Sequence, residues 1–344
     1  MFMQLQAFRD HLKSLNAKLC HEERLVRLWL QGLPLSTPGC RPQHVFPKAM
    51  SGQIGDLSGQ LGSIALVESK HVAEDQSIRL LLKLDDFQTI ETVLLPRDGL
   101  CISSQVGCAV GCVFCMTGRS GLLRQLGSME MLAQVALARQ IRCVRKVVFM
   151  GMGEPAHNLE NVIDVIQTLG TLGGIAHKNL VFSTVGDARV FERLPQERVK
   201  PALAVSLHSS KPALRAKLLP RAPRLEPVEL VALAENYART TGYPIQYQWA
   251  LMDGINDGPE EIDGIAELLS GKYAVMNLIP FNTVDGTEFA RPPWARAEAI
   301  AIALNKRGVL TTLRRSAGQD VDAGCGQLRA RSLPVKAIEV RLVS

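Results

Sequence analysis

CISSQVGCAVGCVFC, residues 101–115, joins an apolar, alternating run to a turn that carries three cysteines. The run 101–106 reads as a β-strand, and Cys108, Cys112 and Cys115 then fall at its C-terminal end in the spacing C-x3-C-x2-C. Further strands are predicted at 146–150, 180–184, 202–206, 245–250, 274–279 and 309–313. Between them, 128–142, 226–240 and 259–269 carry apolar residues at three- and four-residue spacing, the first opened by Ser128 and Glu130 in cap positions. Such alternation predicts an α/β core with a parallel sheet and right-handed crossovers. An open doubly wound sheet and a complete or partial (β/α) barrel both satisfy it, and both gather ligands at the C-terminal strand ends. GMGEP at 151–155, Ser183-Thr184 with Gly186, Ser206-Leu207-His208-Ser209 and Asn282 all follow predicted strands, so they converge on one mouth.

Residues 1–95 read differently. Helical stretches near 5–19 and 21–30 precede a loop rich in Pro and Gly at 32–62, and 63–68, 78–84 and 89–95 form a small meander. A chain of 344 residues with 47% hydrophobic and 21% charged residues has an ordinary globular composition, which excludes disordered, collagenous and coiled-coil classes. No apolar run approaches the roughly 20 residues of a membrane span, and the N-terminus lacks a signal-peptide core, so a cytoplasmic protein is expected. The net charge of +6 favours anionic partners without identifying one.

The eight cysteines spread unevenly, with one tight cluster, unlike a secreted disulfide framework. Three thiolates on one loop suit a soft metal centre. Structural zinc commonly takes four ligands in two separated pairs, and no second pair lies nearby. A [4Fe–4S] cluster held by three cysteines leaves one iron open to a non-protein ligand, which implies chemistry at that iron. The bland alternative is three cysteines packed as small hydrophobes.

The C-x3-C-x2-C motif, with aromatic Phe114 before its third cysteine, resembles the radical S-adenosylmethionine (SAM) superfamily. That resemblance implies a partial (β/α) barrel and a cluster, on Cys108, Cys112 and Cys115, whose unique iron is chelated by SAM. Gly153 and Glu154 resemble the loop that holds the methionine amino group, and Ser183, Ser206, Leu207, His208 and Asn282 are the other expected SAM contacts. Ile90-Glu91-Thr92-Val93, the 101–108 run, Met150 to Pro155, Ser183-Thr-Val-Gly, Ser206-Leu-His, Pro280-Phe-Asn and Asp322-Ala-Gly-Cys325-Gly-Gln-Leu resemble, in order, the RlmN/Cfr family of radical SAM RNA adenine methyltransferases. The implied organisation is an accessory region at 1–95, a radical SAM core with a C-terminal cysteine loop at 96–328, and a tail at 329–344.

An adenine ring carbon flanked by nitrogens is too electron-poor to displace a methyl group from SAM. The family resemblance implies a route around this: Cys325 takes the methyl group by displacement and becomes a covalent carrier. A second SAM is cleaved to an adenosyl radical, which removes hydrogen from the methylated cysteine, and the carbon radical adds to the base. Cys101 then releases the product through a transient Cys101–Cys325 disulfide, with Glu91 in the family's proton-acceptor position. The implied substrate is C2 of an adenosine in 23S rRNA, with tRNA as a further substrate and C8 as the other ring position. The implied partners are that RNA and a flavodoxin or ferredoxin electron donor, acting on a monomer.

Outside the resemblance, Glu91 would read as a surface residue, His208 as a satisfied loop histidine, and Cys325 as an idle thiol. Gly324 and Gly326 argue for a mobile loop around Cys325. Cys20, Cys40 and Cys143 match no motif. Residues 1–60, the run Met116-Thr-Gly-Arg-Ser-Gly and the segment 316–322 depart from the family pattern, which leaves room for a different RNA target. Arg314, Arg315, Arg329 and Arg331, with Arg119 and Arg124, are candidate RNA contacts or a solvated basic face. A reading from another class, a non-catalytic iron–sulfur or zinc protein that binds RNA, would leave Glu154, Ser206, His208 and the Cys101/Cys325 pair without a purpose.

Overall fold

The computed structural model describes residues 4–39, 44–284 and 286–331. Cys40 and all but the first three residues of the expected tail at 329–344 lie outside them. In chain order the elements are α1 (Leu5–Ser14), α2 (Leu19–Leu30), α3 (Lys48–Gly52), α4 (Ile54–Gly62), β1 (Ala65–Val72), β2 (Ile78–Leu84), β3 (Thr89–Leu95), β4 (Gly99–Cys101) and β5 (Gln105–Gly107). They continue with β6 (Leu122–Gln125), α5 (Ser128–Ile141), β7 (Lys146–Phe149), α6 (Leu159–Thr171), β8 (Leu180–Thr184), α7 (Ala188–Arg193), β9 (Ala202–Ser206), α8 (Pro212–Leu218) and α9 (Pro227–Thr241). The last are β10 (Ile245–Leu251), α10 (Pro259–Leu269), β11 (Ala274–Pro280), α11 (Trp294–Lys306) and β12 (Thr311–Leu313).

Ten strands form one sheet in the order β1-β2-β3-β4-β7-β8-β9-β10-β11-β12. From β4 onward all pairs are parallel, as the βα alternation requires, whereas β1 to β4 run antiparallel. Because β4 pairs with β3 on its far side, it is not available to β12, and the parallel part stays an open, partial barrel. The predicted meander therefore continues the core sheet. Leu80, Leu82, Ile90 and Leu94 join the same buried core as Val147, Phe182 and Leu203.

Several predicted boundaries move. The strand expected at 101–106 breaks after Cys101, because the Ser103 hydroxyl donates to the Glu91 carbonyl at 2.5 Å and accepts from Met152 N at 2.8 Å. Gln105–Gly107 then leaves the main sheet and pairs with β6. The last strand starts at Thr311 rather than 309, since Val309 N still donates to Leu304 O at the end of α11. The first helix ends at Ser14, before Asn16 turns at φ +59°. Within the stretch expected to be a loop at 32–62, α3 and α4 form and bury Met50, Leu57 and Leu61. Four glycines between residues 48 and 62 masked the three- and four-residue spacing of these apolar side chains.

Candidate active site

Strand register decides which side chains share a face. Arg79 pairs with Val93, Val93 with Cys101, Cys101 with Val148, and Val148 with Val181. The same rows continue through Val181 and Ala202, then Ser206, Gln248, Asn277 and Thr312. With side chains alternating every residue, Arg79, Glu91, Cys101, Ser183, Ser206, Gln248 and Asn277 all project from one face of the sheet. It is the face that holds Cys325 close enough to Cys101 for one thiolate to disfavour the other.

The loop after β5 carries Cys108, Cys112 and Cys115. Cys108 N donates to Gly121 O at 2.9 Å, Cys115 N to Cys112 O at 3.0 Å, and Val113 N to Leu218 O at 3.1 Å. Gly107 allows the entry to this loop: at φ +77°, a Cβ there would lie 2.1 Å from Gly121 O. Around the thiols, Val110, Val185, Leu218, Leu219, Met252 and Phe281 form a separate apolar cluster that includes Cys108. Burial pushes the Cys108 thiol up to about 12, and neighbouring Cys115 and Glu154 add to the shift. Cys112 is raised well above the usual thiol range by burial, then by the charges of Cys115 and Cys108, and burial also raises Cys115. Among the described residues no group of three His, Cys, Asp or Glu side chains forms a ready-made site for a single ion. Three thiols that repel each other's charge, Cys108 buried and Cys112 and Cys115 half-buried, fit a cationic group that thiolates ligate, because such a group would offset that repulsion.

Gly153 and Glu154 stand beside this loop. Gly153 has φ +110°, and a Cβ there would lie 2.6 Å from Gln105 Cγ, so both conformation and space require glycine. Glu154 N donates to Gln105 Oε1 at 2.8 Å, while its carboxylate accepts from Ala156 N at 3.2 Å and Val185 N at 3.0 Å. Burial raises this carboxyl to about 7, although the Thr184 and Val185 hydrogen bonds oppose the shift. A buried acid so placed suits an ammonium group. His208, in the left-handed region at φ +59°, accepts from Ala250 N through Nδ1 at 2.9 Å and meets the Phe114 ring edge-on at 4.8 Å. Burial, then the Arg215 charge, lowers it to about 3, so it stays neutral. Leu207 is buried and Ser183 and Ser206 half-buried at the strand ends.

Asn282, the last of the expected SAM contacts, is bonded to the segment that carries Cys325. Its amide donates to Ser316 Oγ at 2.8 Å and to Cys325 O at 2.9 Å, and its oxygen accepts from Arg291 at 3.0 Å. It clamps the Cys325 loop. The loop is further tied by Met116 N to Gly326 O at 2.7 Å and Thr117 Oγ1 to Leu328 O at 2.7 Å, so Cys325 sits against the segment that follows Cys115. Its thiol is exposed at the mouth, yet crowding by protein raises it, with Cys115 adding and Ser316 and Arg314 opposing. Cys101 is buried, and burial followed by the Cys325 charge pushes it up to about 12. Both are free thiols.

Glu91 is fully buried on β3 rather than at the surface. Arg79 Nε donates to its Oε1 at 2.7 Å, and Arg329 N donates to its Oε2 at 2.8 Å. Sequence reasoning missed Arg79, whose signal is a buried-side cation, one of two with Lys83, inside the apolar run IRLLLKL. It also missed Gln134, which accepts from Ser103 N at 2.8 Å and donates to Ser103 O at 2.9 Å, fixing the elbow after Cys101. Arg215 is a third: it donates to Val185 O and, at 3.2 Å, to Ser206 O, tying two strand-end loops together. Of the candidate RNA contacts, Arg124 is committed to Asp86 and Glu130, and Arg329 and Arg331 pair with Asp322.

An open parallel barrel with three thiols and a buried acid at its strand ends defines a radical SAM enzyme, and the comparisons agree. The family model of the Radical SAM superfamily matches residues 102–269. The chain is 64% identical to a "Probable RNA methyltransferase" of Methylibium petroleiphilum, over 96% of this chain and 94% of the relative. It is 63% identical to another of Aromatoleum aromaticum, over 98% and 95%. A radical SAM methyltransferase from Sphaerobacter thermophilus, of known crystal structure, superposes with a TM-score of 0.83 at 33% identity, covering 95% of this chain and 98% of that one. The chain belongs to the RlmN/Cfr family of radical SAM RNA methyltransferases, which implies a [4Fe–4S] cluster and SAM as its cofactors. Among the described residues, no helix is long and apolar enough to cross a membrane.

Proposed function

We propose that the protein methylates C2 of an adenosine in 23S ribosomal RNA, and in transfer RNA as a further substrate, with Cys325 as the methyl carrier. The observation that carries this reading is the meeting of two free thiols, buried Cys101 and exposed Cys325, beside the loop of Cys108, Cys112 and Cys115. Those three cysteines would hold the cluster, and Gly153, Glu154, Ser183, Ser206, Leu207 and His208 would hold SAM, with Glu154 against its ammonium. When bound, these cofactors supply the methyl group and the radical chemistry that an electron-poor ring carbon requires.

The chain's own residues then divide the remaining work. Cys325 presents the carried methyl group at the mouth, where an unpaired or flipped base can reach it. Cys101 waits in the dry interior, and its thiolate would bond to the Cys325 sulfur as the bond from that sulfur to the base's new carbon breaks, the electron pair leaving with the product, which takes up a proton to complete its methyl group. Glu91 takes the proton from the ring carbon, which requires one of its oxygens to be freed from Arg79 or from Arg329 N. Lifting of the 329–331 segment, which lies on Glu91, would free it.

The test is anaerobic incubation of reconstituted protein with SAM, a reductant and separate pools of unmodified ribosomal and transfer RNA, followed by nucleoside mass spectrometry. The expected product is 2-methyladenosine in the ribosomal pool. 8-Methyladenosine would overturn the ring position, and 5′-deoxyadenosine without methyladenosine would overturn the substrate. Cys101→Ala should accumulate RNA covalently held on the protein.

A further inference from the structure

Beside the Cys325 loop lies a cleft of about 320 Å³ walled by Arg291, Trp294, Arg314, Arg315, Gln319 and two prolines. Its wall contains three arginines and no acid. Arg291 is fixed by Phe281 O at 2.7 Å, Asn282 Oδ1 at 3.0 Å and Gln319 Oε1 at 2.8 Å. Asn282 alone bridges it to the Cys325 carbonyl. Arg314 and Arg315 are exposed and, unlike Arg124, Arg329 and Arg331, have no carboxylate partner among the described residues. The Arg315 guanidinium lies 4.6 Å from the Trp294 ring centroid. Trp294 is 40% exposed, while Trp29 and Trp249 are buried.

Guanidinium groups without a carboxylate partner around a concave surface favour an anion, and the planar indole and guanidinium offer a platform for a flat ring. A phosphodiester with a base attached meets both requirements. We infer that this cleft grips the nucleotide adjacent to the one entering the mouth, its phosphate on Arg314 and Arg315 and its base stacked on Trp294. The inference rests on the RNA-methyltransferase reading and names where that substrate is held. Gripping the neighbour would also help to keep the target base out of its helix, because the strand is then anchored one side chain away from Cys325.

Trp294 is its own reporter, since the other two tryptophans are shielded from solvent. Titrating the reconstituted full chain with single-stranded RNA should quench its fluorescence, whereas inorganic polyphosphate of equal charge should not. Trp294→Leu should lose about tenfold in RNA affinity, the scale of one stacked base, and Trp294→Phe should recover most of it. The Arg314→Gln/Arg315→Gln double variant should make the salt dependence of binding shallower by about 1.4, two charges at about 0.7 each on a single strand. Circular dichroism melting checks that each variant is folded. Variants that bind RNA like the wild type, while the wild type methylates RNA, would remove the cleft and leave the function standing. Equal binding and quenching by polyphosphate would reduce the cleft to an anion site and overturn the nucleotide. A wild type that neither binds nor methylates RNA would overturn the underlying reading as well.

Discussion

Around Cys108, Cys112 and Cys115 the mouth is walled by Val110, Leu218, Leu219, Met252 and Phe281, all buried, and the approach to the loop at Gly107 leaves no room for a Cβ. Across from it, residues 314–331 present an exposed thiol and two arginines without a carboxylate partner among the described residues, held through Asn282, Gln327, Met116 N and the Thr117 hydroxyl. One wall is set by packing and the other by a few polar contacts. Close packing has one solution and resists displacement, whereas a loop held by a few directional hydrogen bonds, here from buried Asn282, Gln327 and Thr117, is released by breaking those few. Cys325, the proposed methyl carrier, stands on the second kind of wall.

The largest effect expected from breaking this contrast comes from the dry wall. Replacing Cys108, Cys112 or Cys115 by Ala should abolish bound iron and sulfide and all 5′-deoxyadenosine formation, read by metal analysis and chromatography. Cys325→Ala should retain the cluster and lose methyl transfer. A Cys112→Ala protein with full iron and sulfide would remove the dry wall from the cofactor site.

Next is the pair beneath the tail. Arg79 and Glu91 are 1% and 0% exposed, so Arg79→Met strands a buried carboxylate and should cost about 3–5 kcal/mol in urea unfolding. Arg79→Met/Glu91→Leu should recover most of that loss, because no charge is then left without a partner. Equal losses in single and double variants would make the contribution one of shape.

Asn282→Ala sharpens the contrast by separating clamp from cofactor contact. If Asn282 serves the carrier loop, RNA methylation should fall by up to about 100-fold through misplacement of Cys325, while SAM cleavage in the absence of RNA changes much less. A parallel fall in both activities would return Asn282 to the SAM-binding set.

The smallest effects are in pH dependence and have opposite signs. His208 is lowered from 6.5 to about 3, so the folded state disfavours its protonation, and stability present above pH 6.5 is lost as pH falls toward 3. Glu154 is raised from 4.5 to about 7, so its contribution is full below pH 4.5 and is lost as pH rises through 7. In cofactor-free protein, His208→Gln should flatten the acid limb of the urea midpoint and Glu154→Gln the limb between 4.5 and 7. An unchanged profile in either variant would show that the group is not buried in solution.

The parallel core was legible because apolar runs alternating with amphipathic stretches leave few other ways to bury both. Its loops were legible because glycine, cysteine and acid residues are conspicuous after a strand. Short contacts at β4 were not: Ser103 breaks the run 101–106 by reaching Glu91 O and Met152 N, partners 12 and 49 residues away. Arg79, Gln134 and Arg215 escaped for the same reason, since each acts through a backbone atom or carboxylate on another element.

The amino-acid order alone determined the α/β class, the three-cysteine loop and the resemblance that singles out Cys101, Cys325 and Glu91, because these depend on local spacing and residue chemistry. Only the tertiary structure decided that Glu91 is sealed by Arg79 beneath residues 329–331, that Asn282 bonds to the Cys325 loop, and that Arg314 and Arg315 have no carboxylate partner among the described residues while Arg124 has two. Those outcomes depend on which distant groups reach hydrogen-bonding distance, and that is set by how the strands register and where residues 329–331 cross β3.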